Sequence, residues 1–186
     1  MVLLLFTAAV HAQVPEKPAK NSSKCGTIQK TYDRSKDETQ VQLVPYLLEG
    51  AVHIDRESGV GRTGFRYTDW GFALTFLYSY KSKEYQRPER IKFFTLYDGQ
   101  FFRYDVNHDV AFELGSEVLN IGSTVRTTEI PIGTQRVREQ LAAYISADQL
   151  QKIASAPTVR LKVGRDIFDL TPCQIAGISK LAKTIK

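Results

Sequence analysis

From Cys25 onward the chain alternates apolar and polar residues with a period of two, carried by Val, Ile, Phe, Tyr and Thr and interrupted by Gly, Asp and Pro. That period sends successive side chains to opposite faces of a strand, so the sequence calls for sheets with one buried face rather than for long amphipathic helices. Strands are expected over Thr39–Leu48, Trp70–Tyr80, Arg90–Tyr97, Gln100–Val106, Asp109–Leu114 and Thr124–Ile130. Arg136–Ile145 fits either period and is taken as a strand because its neighbours favour one. Two hairpins are specified by turn chemistry that matches the twist of paired strands. Asp98-Gly99 would join Phe93–Tyr97 to Phe101–Tyr104, and Gly164-Arg165 would join Val159–Val163 to Ile167–Leu170.

Two helices interrupt this pattern. Ser146-Ala147-Asp148-Gln149 is a capping box ahead of Leu150, Ile153 and Ala154, and Pro157 stops the helix it opens. Thr171-Pro172-Cys173-Gln174 repeats the device with Pro at the first helical position. Ile175, Ile178, Leu181, Ala182 and Ile185 then fall on one stripe, far from Cys173. The expected fold is mainly β of the α+β class. It is an antiparallel sandwich or strongly curved sheet, with one short helix and a C-terminal helix packed on it. A parallel nucleotide-binding sheet is disfavoured, since it needs crossover helices that the first half of the chain lacks.

With 186 residues, 25 Lys+Arg against 20 Asp+Glu and a formal charge of +5, the composition is that of one globular domain whose surface leans toward anions. Val2–Val10 is an almost unbroken apolar run, and Val10-His11-Ala12 has the small-to-medium residues that a signal peptidase reads. Residues 1–12 are therefore expected to be a signal peptide and 13–24, rich in Pro, Lys, Ser and Asn, a flexible segment. Residues 25–186 form the globular domain. Export makes the location periplasmic or secreted, and no later stretch is apolar for long enough to span a membrane. In an oxidising compartment the only two cysteines, Cys25 and Cys173, are expected to pair.

The sharpest local pattern is Ser58-Gly59-Val60-Gly61-Arg62-Thr63-Gly64. It satisfies G-x-G-x-x-G, but an aromatic strand-like stretch follows it in place of the helix that a dinucleotide site requires. Arg62-Thr63-Gly64 also resembles the end of the phosphate-binding signature of the protein tyrosine phosphatases. In that signature a nucleophilic Cys stands six positions before the Arg, and here the position is Arg56, so the resemblance implies no phosphoenzyme chemistry. Arg56 to Gly64 is expected to be a mobile, exposed glycine-rich connection, with Arg62 and Arg66 left as candidates for anion capture. Asp105-Val106-Asn107-His108-Asp109 copies the start of a calcium loop but lacks its Gly and its closing Glu, and reads as a turn. His53 and His108 stand in no metal-ligand spacing. From Tyr78 to Lys92 basic and aromatic residues interleave, which makes Lys83, Arg87 and Arg90 candidates for binding a polyanion or a sugar face. The plain alternative is a solvated loop between strands.

The function expected from these features is that of an exported, non-enzymatic domain that binds a partner protein or an anionic component of the cell envelope. No cofactor, metal or nucleic acid is expected. Two alternatives stand beside it. A small hydrolase of an envelope polymer would show two carboxyls facing each other in a cleft. A carrier of lipid or another small ligand would enclose an apolar cavity.

Overall fold

A computed structural model describes residues 26–44, 46–50, 54–59, 62–67, 71–133 and 135–185, with 46–47, 49–50, 54–59 and 62–67 described by their backbone alone. The alternating pattern produces strands β1 (Ile28–Asp33), β2 (Glu38–Leu43), β3 (Tyr46–Gly50), β4 (Ile54–Gly59), β5 (Arg62–Tyr67), β6 (Gly71–Lys81), β7 (Ile91–Gly99), β8 (Asp109–Leu114), β9 (Glu117–Ser123), β10 (Val125–Glu129) and β11 (Val137–Ile145). Helix α1 (Ala147–Ser155), strands β12 (Arg160–Val163) and β13 (Asp166–Asp169), and helix α2 (Pro172–Ala182) complete the order.

Among the described residues a seven-stranded sheet runs β1-β2-β6-β7-β11-β10, with β3 also paired to β6. A four-stranded sheet runs β13-β12-β8-β9, and β4 and β5 pair with each other. Every ladder is antiparallel. Both helices carry the capping boxes read from the sequence, on Ser146 with Gln149 and on Thr171 with Gln174.

The two larger sheets face each other. Phe72, Leu74 and Phe76 of β6, Ile91 and Phe93 of β7, and Leu141 of β11 point inward from one; Val110 and Phe112 of β8, Leu161 of β12 and Phe168 of β13 point inward from the other. Phe72 stacks on Phe168 with ring centroids 4.4 Å apart, and Phe112 meets both Phe76 and Phe93, at 6.3 and 5.7 Å. Such offset and edge contacts add about 0.5–1.5 kcal/mol per pair to the burial of the rings themselves. The sheets share a chain along one side. After Gly122, whose φ of +87° suits glycine, β9 of the small sheet continues through Thr124 into β10 of the large one. The buried Thr124 hydroxyl donates to the His108 carbonyl at 3.0 Å and lies 3.2 Å from His108 Nδ1, which fixes the bend. The helices bridge the sheets elsewhere, α2 against β1 and β2 and α1 against β8, and the Ser179 hydroxyl donates to the Ala154 carbonyl at 2.6 Å to lock one helix to the other.

Two expectations are corrected. Gln100–Val106 is not a strand, and Asp98-Gly99 does not turn β7 back on itself. Both edges of β7 are already taken, by β6 and by β11, so Phe101–Tyr104 has no edge to join. The glycine-rich stretch from Arg56 to Gly64 is likewise no mere connection. Most of it lies in the β4–β5 ladder, where Gly59 faces Arg62, Glu57 faces Gly64 and the oppositely charged Asp55 and Arg66 fall opposite each other. Arg136–Ile145 is a strand, and the single strand expected over Thr39–Leu48 is two, β2 and β3. The leader, the segment that follows it, Cys25 and His53 lie outside the described residues. Phe112→Ala, which empties the point where three inner strands meet, is expected to lower unfolding stability by about 3–5 kcal/mol, read by urea denaturation.

Candidate binding surface

The register of the large sheet defines two ends. At one, β3 ends and β6 begins with Gly50 opposite Gly71, Gly71 faces Asp98, and Gly99 faces Val137. From this end leave the β4–β5 hairpin, the loop 100–108 and the turn 130–136. At the other end Glu38 faces Lys81 and Ile91 faces Ile145, and the β1–β2 turn and the loop 82–90 leave there. The candidate basic residues are thereby divided. Arg62 and Arg66 belong to β5 at the first end, and Lys83, Arg87 and Arg90 to the loop at the second. A strand such as β6 rises about 3.3 Å per residue over its 11 residues, so the two groups do not form one site.

At the second end the basic and aromatic residues largely satisfy one another. Lys83 Nζ stands 5.1 Å from the centre of the Tyr32 ring, Lys30 Nζ 5.7 Å from that of Tyr80, and the Arg90 guanidinium 6.0 Å from that of Tyr144. Tyr78 and Tyr80 are buried in the core, and burial raises the Tyr78 phenol above its ordinary pKa although its bond to Thr184 works the other way. The loop itself is mostly solvated, apart from the buried Pro88. In the Asp105–Asp109 segment, Asn107 accepts the Asp109 amide at 3.1 Å, the local bonding of a turn. Among the described residues no group of three or more His, Cys, Asp or Glu is placed to hold a metal ion.

The first end is built differently, around a fully buried carboxylate. Glu139 occupies an inward position of β11 between Val137 and Leu141. Its oxygens accept the Arg103 amide at 2.6 Å, the Tyr104 amide at 3.3 Å and the Arg126 guanidinium at 2.8 Å. These bonds take the place of the ladder that Phe101–Tyr104 could not join, and they pin the loop 100–108 across the sheet beside β10. The Arg103 side chain continues to Asp166 of the small sheet at 2.7 Å and lies over the rings of Tyr97 and Tyr104. On the opposite face of the sheet Asp98, also buried, binds Arg136 at 2.7 Å and Arg138 at 3.3 Å, and Arg138 reaches Glu129 at 3.3 Å. Arg103, Arg126, Arg136 and Arg138 are thus matched by Asp98, Glu129, Glu139 and Asp166.

This framework presents large apolar side chains to solvent, beside the exposed Asp105 and Asn107 of the same loop. Phe101 is 76% exposed and Ile132 fully so, and Phe102, Val106 and Ile130 are exposed as well. Phe102 is held by the Arg126 guanidinium 5.4 Å from its ring centre. Sequence reading missed this arrangement because it placed Phe101–Tyr104 in a strand with an inward face. The signal that marks it is Glu139 itself, a charged residue in the apolar phase of β11.

The two alternatives can be examined on the same structure. A cleft of about 330 Å³ on the outer face of the small sheet is lined by Glu113, Gly115, Thr158, Val159, Arg160, Asp169 and Leu170. It holds two carboxylates, but Arg160 stands between them, bonded to Asp169 at 2.9 Å and to Glu113 at 3.2 Å. The hydrogen bond to Asp169 and the two negative charges raise the pKa of the arginine above its usual value. Both acids are engaged by one permanent cation, an arrangement unlike the free acid and base of a glycosidase. Between the sheets, where a carrier would hold its ligand, the stacked rings of Phe72, Phe76, Phe93, Phe112 and Phe168 occupy the space. Comparison with protein-family models, with curated proteins and with solved structures finds no match to this chain.

Glu139→Gln keeps the shape of the side chain and removes its charge from Arg126 and from the two loop amides. It is expected to cost about 1–3 kcal/mol of stability. It should also speed hydrogen exchange at the Arg103 and Tyr104 amides in particular.

Proposed function

We propose that this chain is an exported, non-enzymatic domain that binds a partner protein or another apolar-faced component of the cell envelope through the loop 100–108 and the turn 130–136. The observation that carries the proposal is the exposure of two adjacent phenylalanines on a loop whose backbone is fixed by a buried carboxylate. Exposed rings normally cost a domain solubility, and a fixed loop loses little further entropy when a partner covers it. Aromatic side chains of this kind supply the central contacts of protein interfaces. Because the neighbouring arginines are matched by carboxylates, the contact is apolar in character and depends little on salt, which favours a protein partner over a polyanion. The apolar run Val2–Val10 supports export to the periplasm or beyond.

The proposal is tested with a photoreactive amino acid at position 101 in the cell that makes the protein. One discrete adduct is expected, and it should disappear when Ile132→Asp is added while the circular dichroism spectrum stays unchanged. Once the partner is identified, Phe101→Ala is expected to weaken binding by at least about tenfold, as for a central aromatic contact. Diffuse labelling, or an adduct indifferent to Ile132→Asp, would remove the loop end as the binding surface.

We also propose that Cys25 pairs with Cys173. Cys173 is no free thiol. The next residue after Cys25, Gly26, is buried so tightly against α2 that a Cβ there would come within 2.7 Å of the Gly177 Cα, one turn beyond Cys173. The denatured but unreduced protein is expected to take up no alkylating agent until a reductant is added. Uptake at two thiols without reductant would end the proposal.

A further inference from the structure

We infer that two copies of this chain associate by pairing their β10 strands antiparallel about a two-fold axis at Thr127. Strand β10 ends the seven-stranded sheet. It bonds to β11 in a continuous register from Val125 opposite Ala142 to Glu129 opposite Arg138, and among the described residues no strand pairs its other side. The outer row of backbone donors and acceptors therefore offers a template for an extended chain. The other edges of the two facing sheets carry devices that discourage pairing. Lys30 stands in the middle of β1, the ladder of β3 shifts register between Leu47 and Glu49, β13 has only 4 residues, and β9 is irregular opposite Val110–Ala111 and bends at Gly122. In β10 there is no Lys, no Pro and no bulge, and Pro131 follows it to end a ladder.

The register of β10 against itself fits a second copy as the occupant. With Thr127 on the axis, Thr127 meets Thr127 of the second copy, Val125 meets Glu129, and Arg126 meets Thr128. No like charges fall opposite one another, and threonine pairs across strands are favourable. The two charged side chains are also already satisfied within their own chain, since Arg126 turns inward to Glu139 and Glu129 is held by Arg138. Pairing thus brings no unmatched charge into contact. It covers Val125, which is otherwise 70% exposed, with the aliphatic stem of Glu129 from the second copy. The two large sheets then become one continuous sheet across the axis, and the Phe101–Phe102 loops, pinned beside β10 in each copy, flank it.

The mass in solution, from light scattering or sedimentation, tests this. The wild-type chain is expected to have twice the chain mass. Thr127→Lys and Thr127→Glu, each of which sets like charges face to face on the axis, are expected to have the mass of one chain with unchanged circular dichroism. Thr127→Ser should retain the doubled mass. An equal mixture of the Lys and Glu variants is expected to regain it, as a species holding one copy of each. A wild-type chain of single mass at its highest soluble concentration would overturn the inference. So would a Thr127→Lys chain that keeps the doubled mass, or a Lys and Glu mixture that stays single.

Discussion

The bonds to the Glu139 carboxylate hold in place a loop that the sheet ladders leave unpaired. They join β11 of the large sheet to the loop that carries the chain from β7 across to β8, and both of these to β10. A carboxylate so deeply placed bears a desolvation penalty of several kcal/mol, which only multiple charge-assisted bonds can offset. Glu139 has them from two backbone amides and one guanidinium. The backbone donors would otherwise be orphaned, because β7 has no vacant edge and the crossing loop has no strand to pair with. The buried charge and the irregular loop therefore explain each other. Neither would be stable in this position alone.

The same economy of partners governs the rest of that end. Arg103 passes from the loop to Asp166 and ties the second sheet to the first, while Asp98 gathers two arginines on the outside of the large sheet. With these groups matched, the described residues of this end still turn several large apolar side chains toward solvent. Phe101 and Phe102 adjoin backbone fixed by the Glu139 carboxylate, and Ile130 and Ile132 lie between Glu129 and Arg136, whose side chains are ion-paired. A contact surface of this design has its entropy cost met at folding rather than at binding. The exposed hydrophobic rings are thus a consequence of the polar network and not a failure of packing.

How much of this was legible in the chain varied with the range of the forces involved. The caps at Ser146 and Thr171, the β12–β13 hairpin at Gly164 and the alternation of β6, β8 and β11 are local, and the sequence shows them directly. The fate of Phe101–Tyr104 is not local. Asp98-Gly99 has the chemistry of a hairpin turn and the following residues alternate, yet β7 lies between β6 and β11, and only the full strand order reveals that. The glycines of the Arg56–Gly64 segment suggest breaks in structure, yet the backbone of β4 and β5 pairs across them, with Gly59 opposite Arg62 and Glu57 opposite Gly64. Arg62 and Arg66 belong to β5, whereas Lys83, Arg87 and Arg90 leave the far end of β6. Net charge records that cations exist, and topology decides which of them are neighbours.

Topology also decides where the excess charge acts. At the loop end four arginines are paired with four carboxylates, and a local excess of cations lies elsewhere. In the stretch from Lys81 to Lys92, five cations, Lys81, Lys83, Arg87, Arg90 and Lys92, meet only two acids, Glu84 and Glu89. This stretch lies at the opposite end of the large sheet from Phe101. Fields from exposed charges fade over about 8–10 Å at physiological salt, well short of the length of β6. The cationic end can therefore orient the domain near an acidic surface without altering the apolar contact at the other end. A partner held at Phe101 would then stand away from whatever the lysines and arginines attract, and the fold keeps the two influences apart simply by the length of its strands.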